Sequence, residues 1–295
     1  MLSSLKILLS SIVDYAGLFP PAKLNLQEAI ANYIQYRQTH NRWLLGNFII
    51  PVSRLTELQT LLINRPLNNT ITSKFSLSVI LSEDWESEIK QIKIFNNISQ
   101  FEIASVEFKP LSVAEIERAI DYLSDEIESF FEISLAADFI TYLKTLQGTK
   151  ASAKIRLGGL TAEAFPSAGR LCQFIFASAE AGVPFKATAG LHHVLPGKYT
   201  VSHESNSFIT SMQGFLNLSI LAALVYWQKL TRQEALAVLQ ESFHRSFQFQ
   251  EKNIVCQNHH LNLAEIQQAR QHFFRSFGSC SFQEPLDELK ELQLL

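Results

Sequence analysis

The chain is built on a recurrence: short strand-like runs alternate with amphipathic helical stretches at intervals of roughly 25 to 35 residues, the length of a βα unit. The runs fall at 11–16, 44–51, 76–81, 102–109, 129–134, 151–157 and 184–189. Between them stand helix-start signals, with Asn25, Ser53 and Ser82 as caps and Ser112 with Glu115 as a capping box. Six crossovers of one kind predict a parallel sheet, and closure into an α/β fold of the (β/α)8 TIM-barrel type is the common way to end such a series. A barrel takes about 250 residues, so the 295 residues suit one domain, 1–295, with an N-terminal helix and a helical C-terminal extension, 230–295, packed on it. Thr231 with Glu234 starts a helix in that extension. The eighth strand has two candidates, 214–217 and 277–282, while 64–74 and 190–213 look like loops.

Composition narrows the function classes. With 47% hydrophobic and 18% charged residues, the chain can bury a large core and does not resemble a disordered protein. A net charge of −3 and the lack of a Lys/Arg-rich run argue against nucleic acid and anionic membranes as general partners. Cys172, Cys256 and Cys280 are widely spaced and odd in number, which fits neither a disulfide framework nor a metal knuckle and points to the cytoplasm. The opening MLSSLKILLSSIV lacks a following small-residue cleavage site and reads as a first helix rather than a signal peptide. The apolar stretch 215–227 is too short to span a bilayer.

Period-two alternation carries the functional reading, because residues i and i+2 of a strand share a face. Ser105, Glu107 and Lys109 share one face of strand four, and Phe130, Glu132 and Ser134 one face of strand five. Ser152, Lys154 and Arg156 share a face of strand six, and Lys186 and Thr188 one of strand seven. The outer faces of barrel strands pack on helices and must be apolar, so these charges have to look into the lumen, near the C-terminal ends where barrel active sites form. The competing reading is a structural ion network, but buried charge is costly unless paired and rarely improves on apolar packing.

Neighbouring strands lie about 4.8 Å apart, so Lys154 and Lys186 at similar heights would each disfavour the other's proton. A lysine beside another cation becomes an amine nucleophile that can form a Schiff base with a carbonyl. Glu107 or Glu132 can then move protons, and Arg156 and Lys109 can hold a substrate carboxylate or phosphate. Gly158 and Gly159 permit backbone N–H groups to approach an anion.

The runs Lys154-Ile155-Arg156-Leu157-Gly158-Gly159 and Lys186-Ala187-Thr188-Ala189-Gly190 resemble the paired lysine strands of class I aldolases of the deoxyribose-phosphate type. The resemblance covers about a sixth of the chain and implies a barrel in which Lys154 is the nucleophile and Lys186 its activator. The hydroxyl-rich run of that family is replaced by Ile155, Arg156 and Leu157, which implies a different anionic substrate or another activity. The segments Asp14-Tyr15-Ala16-Gly17-Leu18-Phe19-Pro20-Pro21 and Phe185-Lys186-Ala187-Thr188-Ala189-Gly190-Leu191-His192-His193 also resemble those of an uncharacterised bacterial protein family, which implies that both segments form part of a site.

His192 and His193 follow strand seven directly and are candidates for acid/base work or substrate contact, with His203 in the same loop. No cofactor is required by this reading, although Glu107, Glu132 and one histidine can also make a divalent-metal site. Asp14 is a catalytic carboxylate or a turn cap, and Asn217 contacts substrate if 214–217 is strand eight. The Phe-rich tail packs on the barrel or across a homodimer contact.

Three functions follow. The first is a lyase or isomerase acting through a lysine on a small anionic carbonyl metabolite; the second is a metal-assisted enolising or hydrolytic enzyme; the third is a non-catalytic binder of an anionic metabolite. On the first, Lys186→Met is expected to abolish turnover while leaving the melting temperature unchanged or raised.

Overall fold

A computed structural model describes residues 1–63, 74–95, 101–123, 126–136, 138–159, 161–201 and 207–295. The first half alternates α1 (Ser3–Leu9), β1 (Val13–Tyr15), α2 (Leu26–Gln38), β2 (Leu45–Pro51), α3 (Leu55–Ile63), β3 (Phe75–Ile80), α4 (Trp85–Phe95), β4 (Phe101–Phe108) and α5 (Val113–Tyr122). It continues with β5 (Glu128–Ile133), α6 (Phe139–Leu146), β6 (Ser152–Arg156), α7 (Ala168–Glu180) and β7 (Phe185–Thr188). A hairpin of β8 (Gly197–Thr200) and β9 (Ile209–Met212) follows, then α8 (Phe215–Tyr226) and α9 (Arg232–Gln240). The chain ends with a small antiparallel sheet of β10 (Phe247–Phe249), β11 (Asn253–Cys256) and β12 (His259–Asn262), then α10 (Leu263–His272), β13 (Phe274–Ser279) and α11 (Gln283–Glu291).

The sheet closes as an eight-stranded barrel in the order β1-β13-β7-β6-β5-β4-β3-β2, and every described pair in it is parallel. The expected TIM-type barrel is therefore the fold. Local chemistry agrees with it: Asn25 accepts from the Glu28 N–H, and both Ser112/Glu115 and Thr231/Glu234 form reciprocal capping boxes. Ser53 instead lies in a short 3-10 turn before α3.

Strand eight is β13, which overlaps the second sequence candidate but starts three residues earlier. The segment 230–295 thus supplies a barrel wall and a three-stranded sheet as well as helices. The rival candidate, 214–217, opens α8, a helix apolar all round whose residues Phe215 to Val225 are all buried. Such a helix needs cover on every side; α8 packs on β13 inside and on α7, α9 and α10 around it. Within the loop expected at 190–213 the β8–β9 hairpin forms. His203 and residues 64–73 lie outside the described residues.

Outer strand faces carry large apolar groups, among them Phe48, Phe108, Phe131, Phe185 and Phe277, all essentially inaccessible to solvent. Much of the Phe-rich tail is spent in this core: Phe247, Phe273, Phe274 and Phe277 are buried, while Phe243 is exposed. Among the described residues no helix is long and apolar enough to cross a membrane.

Phe277 locks the closing strand, with its ring 5.1 Å from that of Phe215. Phe277→Ala should lower the unfolding free energy by about 3–5 kcal/mol, measured by urea denaturation; a loss below about 1 kcal/mol would show that β13 closure does not depend on this contact.

Candidate active site

The lumen-facing residues expected on strands four to seven do converge. Register puts Glu132 beside Lys154 and Lys154 beside Lys186 on three successive strands. Two lysines at one level would repel each other, and the fold separates their charges with acids. Lys186 Nζ donates to Asp14 Oδ2 at 2.6 Å and to Glu107 Oε1 at 2.7 Å. Lys154 Nζ lies 3.3 Å from Glu107 Oε2 and 3.0 Å from Glu132 Oε2. Arg156 Nε donates to Glu132 Oε1 at 3.2 Å.

The result is a chain of alternating sign across the barrel: Asp14, Lys186, Glu107, Lys154, Glu132, Arg156. Hydroxyls complete it. Ser78 Oγ donates to Glu107 Oε1 at 2.7 Å and itself accepts from Ser105 Oγ, while Ser276 Oγ and the Asn47 N–H serve Asp14. Phe130 lies under Lys186, with Nζ 5.0 Å from the ring centre.

Burial alone would raise the Glu107 pKa, but Lys186, Lys154 and the hydrogen bonds from Lys186 and Ser78 outweigh it and pull the group from 4.5 to about 2. Burial likewise opposes ionisation of Glu132, and Lys154 with Arg156 overcomes it, leaving that carboxyl below its ordinary range. Desolvation would strip the Lys186 proton, yet Asp14 and Glu107 reverse the balance and raise its pKa. Lys186 therefore stays an ammonium.

Above this chain a cavity of about 860 Å³ opens at the C-terminal ends of the strands. Of the residues singled out from sequence, Glu107, Lys109, Glu132, Lys154, Arg156, Gly159, Thr188 and His192 line it. Lys186 does not, since it is sealed beneath the floor that Glu107 and Lys154 form. Asp14 lies lower still and borders a different cavity, so it belongs to the support of Lys186 rather than to this mouth. Gly158 sits behind the wall, where a Cβ would come within 2.6 Å of the Gly190 Cα; its role is close packing of two loops.

Asn217 is displaced from the site altogether. It lies on α8, donates to the carbonyls of Val238 and Glu241 and does not border the upper cavity, so it ties helices together. His193 also turns away from the cavity wall: its Nδ1 meets the Glu288 carboxylate, and its ring stacks on Tyr199. Glu107 and Glu132 both face Lys154, and among the described residues no group of three or more His, Cys, Asp or Glu side chains is arranged to hold a metal.

His192 stays at the cavity, with Nδ1 3.1 Å from Ser279 Oγ. That hydroxyl already donates to the Ser281 carbonyl at 2.6 Å. By donor count, Nδ1 carries the proton and Nε2 is the acceptor nitrogen. Burial, reinforced by His193 and opposed by Glu284, lowers the His192 pKa and favours the neutral ring.

Several lining residues escaped the alternation argument. Gly278 comes from strand eight and Cys280 directly follows it, Phe19, Pro20 and Pro21 come from the loop after β1, and Phe165, Phe208 and the β9 residue Met212 come from the segments over the mouth. Only the second group had a signal, the resemblance of the 14–21 segment. The cavity is thus charged at its floor and largely apolar at its rim.

Glu107 carries a sign-defined test. Its folded pKa lies below its unfolded value, so its ionised form contributes stability above pH 4.5 that is lost as pH falls towards 2. Glu107→Gln should cost about 3–5 kcal/mol at pH 7 and should flatten the acid limb of urea-unfolding free energy against pH; parallel acid limbs in the two proteins would contradict the network. Lys186→Met strands Asp14 and Glu107 as buried anions, so its melting temperature should fall, the reverse of the expectation from sequence.

Compared with protein-family models, curated proteins and solved structures, the chain shows no match.

Proposed function

We propose that this barrel is an enzyme acting on a small anionic carbonyl compound, with lyase or isomerase chemistry through a Schiff base on Lys154. One observation carries the reading: Lys154 Nζ forms part of the cavity floor, is 3% exposed, and lies between two carboxylates.

The two acids suit different roles. Glu107, held at about 2, stays ionised throughout. Glu132 is partly exposed, borders the cavity and is the proton carrier. It takes a proton from Lys154, and the amine attacks the carbonyl carbon. Glu132 then protonates the oxygen, removes a second proton from nitrogen and returns it as the oxygen departs as water. The iminium that remains has the same positive charge as the ammonium it replaced, so the ion chain stays balanced. Electrons from an adjacent C–C or C–H bond flow into that iminium, which is the step a lyase or an isomerase needs.

Arg156, with half its side chain exposed, and Lys109 supply charge for a carboxylate or phosphate on the substrate. His192 Nε2 is available for a second proton transfer.

Borohydride reduction with short 2-keto acids and phosphorylated aldehydes, read by intact mass and peptide mapping, tests the covalent step. A reduced adduct on Lys154 is expected, and Lys154→Met should lose at least about 10³-fold in turnover. Glu132→Gln should lose about 10²–10⁴-fold. Turnover without any lysine adduct would overturn the Schiff base, and thermal stabilisation without conversion of any compound would point to a binding protein instead.

A further inference from the structure

The barrel has a second opening at the N-terminal ends of its strands, the end opposite to Lys154. There a cavity of about 610 Å³ is bordered by Asp14, Asn47, Glu128, Gln267, Arg270 and Arg275, among others. This end of a TIM barrel ordinarily serves stability, and a polar cavity of this size calls for an account.

Charge counting supplies one. Asp14 is matched by Lys186. Glu128 is matched by Arg275 through a fork, with Nε to Oε1 at 2.9 Å and Nη2 to Oε2 at 3.3 Å. Arg270 is left over. Its Nη1 donates to the Phe274 carbonyl and its Nη2 to the Ser10 carbonyl at 3.1 Å, while its buried Nε has no partner among the described residues. Neither carbonyl bears a formal charge, and Ser10 ends a helix of only seven residues, so its terminal dipole offsets a fraction of one charge. Burial and the like charge of Arg275, opposed in part by Asp14, lower the Arg270 pKa to about 9. Arg270 is part-buried at the cavity wall and makes no ion pair of its own among the described residues, so an anion entering the cavity meets a cation with no carboxylate bound to it.

We propose that the lower cavity is a binding site for a small polar metabolite bearing an oxyanion, phosphate or carboxylate, which pairs with Arg270 and hydrogen-bonds to the amides of Gln267 and Asn47. Its volume exceeds the roughly 30 Å³ share of one water many times over, which leaves space for a body beyond the anionic group. A ligand here is separated from Lys154 by the ion chain, so it is not the substrate of the upper site.

Thermal melting of the full chain at fixed ionic strength, with inorganic phosphate or malonate replacing chloride, tests the site. A saturable rise of about 5 °C is expected at a large excess over Kd, and the stronger of the two ions identifies the oxyanion. The rise should persist in Arg156→Gln, which weakens anion binding at the upper mouth, and should vanish when Arg270→Gln is added in that background. Gln267→Glu places a carboxylate one helical turn from Arg270; it should raise the melting temperature without added ion and abolish the response, a result readable even if Arg270→Gln does not fold. A response lost in Arg156→Gln but intact in Gln267→Glu, or no saturable response to either ion, would overturn the proposal. None of these variants changes Lys154, so failure here leaves the borohydride result standing.

Discussion

An unbroken alternation of sign, from Asp14 through Lys186, Glu107 and Lys154 to Glu132 and Arg156, lets a closed sheet hold six ionised groups in its lumen. Each interior lysine meets two carboxylate oxygens, and each inner carboxylate meets cations or hydroxyls on both oxygens. Desolvating any one of these ions costs several kcal/mol, and close opposite charges in a low-dielectric interior return that cost only when geometry and hydrogen bonding are complete. Ser78 and Ser276 matter for this reason, because they donate to carboxylate lone pairs that Lys186 leaves, and Ser105 donates in turn to Ser78. Removal of one member therefore disturbs the pKa of its neighbours as well as local packing.

The same chain makes two adjacent lysines unequal. Both belong to the lumen face of neighbouring strands and are opposite one another in register. Lys186 is closed off by Asp14, Glu107 and the Phe130 ring, whereas Lys154 sits one step nearer the mouth with Glu132 beside it at the cavity edge. Accessibility distinguishes the two lysines here, since Lys154 reaches the upper cavity and Lys186 does not. The support acts through Glu107, whose ionised state Lys186 maintains and whose second oxygen faces Lys154. That arrangement differs from mutual activation of two lysines, because an anion stands between them.

Strand periodicity made much of this legible. A period of two is exact in a strand, so the shared face of Glu107, Glu132, Lys154, Arg156 and Lys186 could be assigned without coordinates, and the capping boxes at Ser112 and Thr231 located their helices. Depth was not legible. Strands in a closed barrel are staggered along its axis, and alternation alone does not encode that offset, so Asp14 appeared beside the mouth when it lies beneath Lys186. Strand eight was obscured for another reason. β13 pairs with β7 across a long sequence gap and with an irregular register between Phe274 and Phe277, which interrupts its alternation. Asn217 was misplaced with it, because an apolar run such as 214–225 fits a buried strand or a buried helix equally well until its neighbours are known.

The ion chain also divides the lumen. Small polar residues, Asn47, Ser76 and Ser276, occupy the lower layer where many barrels place branched aliphatics, and space remains below Asp14. Asp14 and Lys186 then form the partition between the lower space and the upper cavity, and Glu107 lies on the far side of Lys186 in direct contact with it. Coulomb interactions weaken only as the inverse of distance in a poorly screened interior. A charge entering below thus acts first on Asp14 and Lys186 and, through the shared ammonium, on the carboxylate that faces Lys154. Two chambers that border one row of ions are thereby coupled electrostatically.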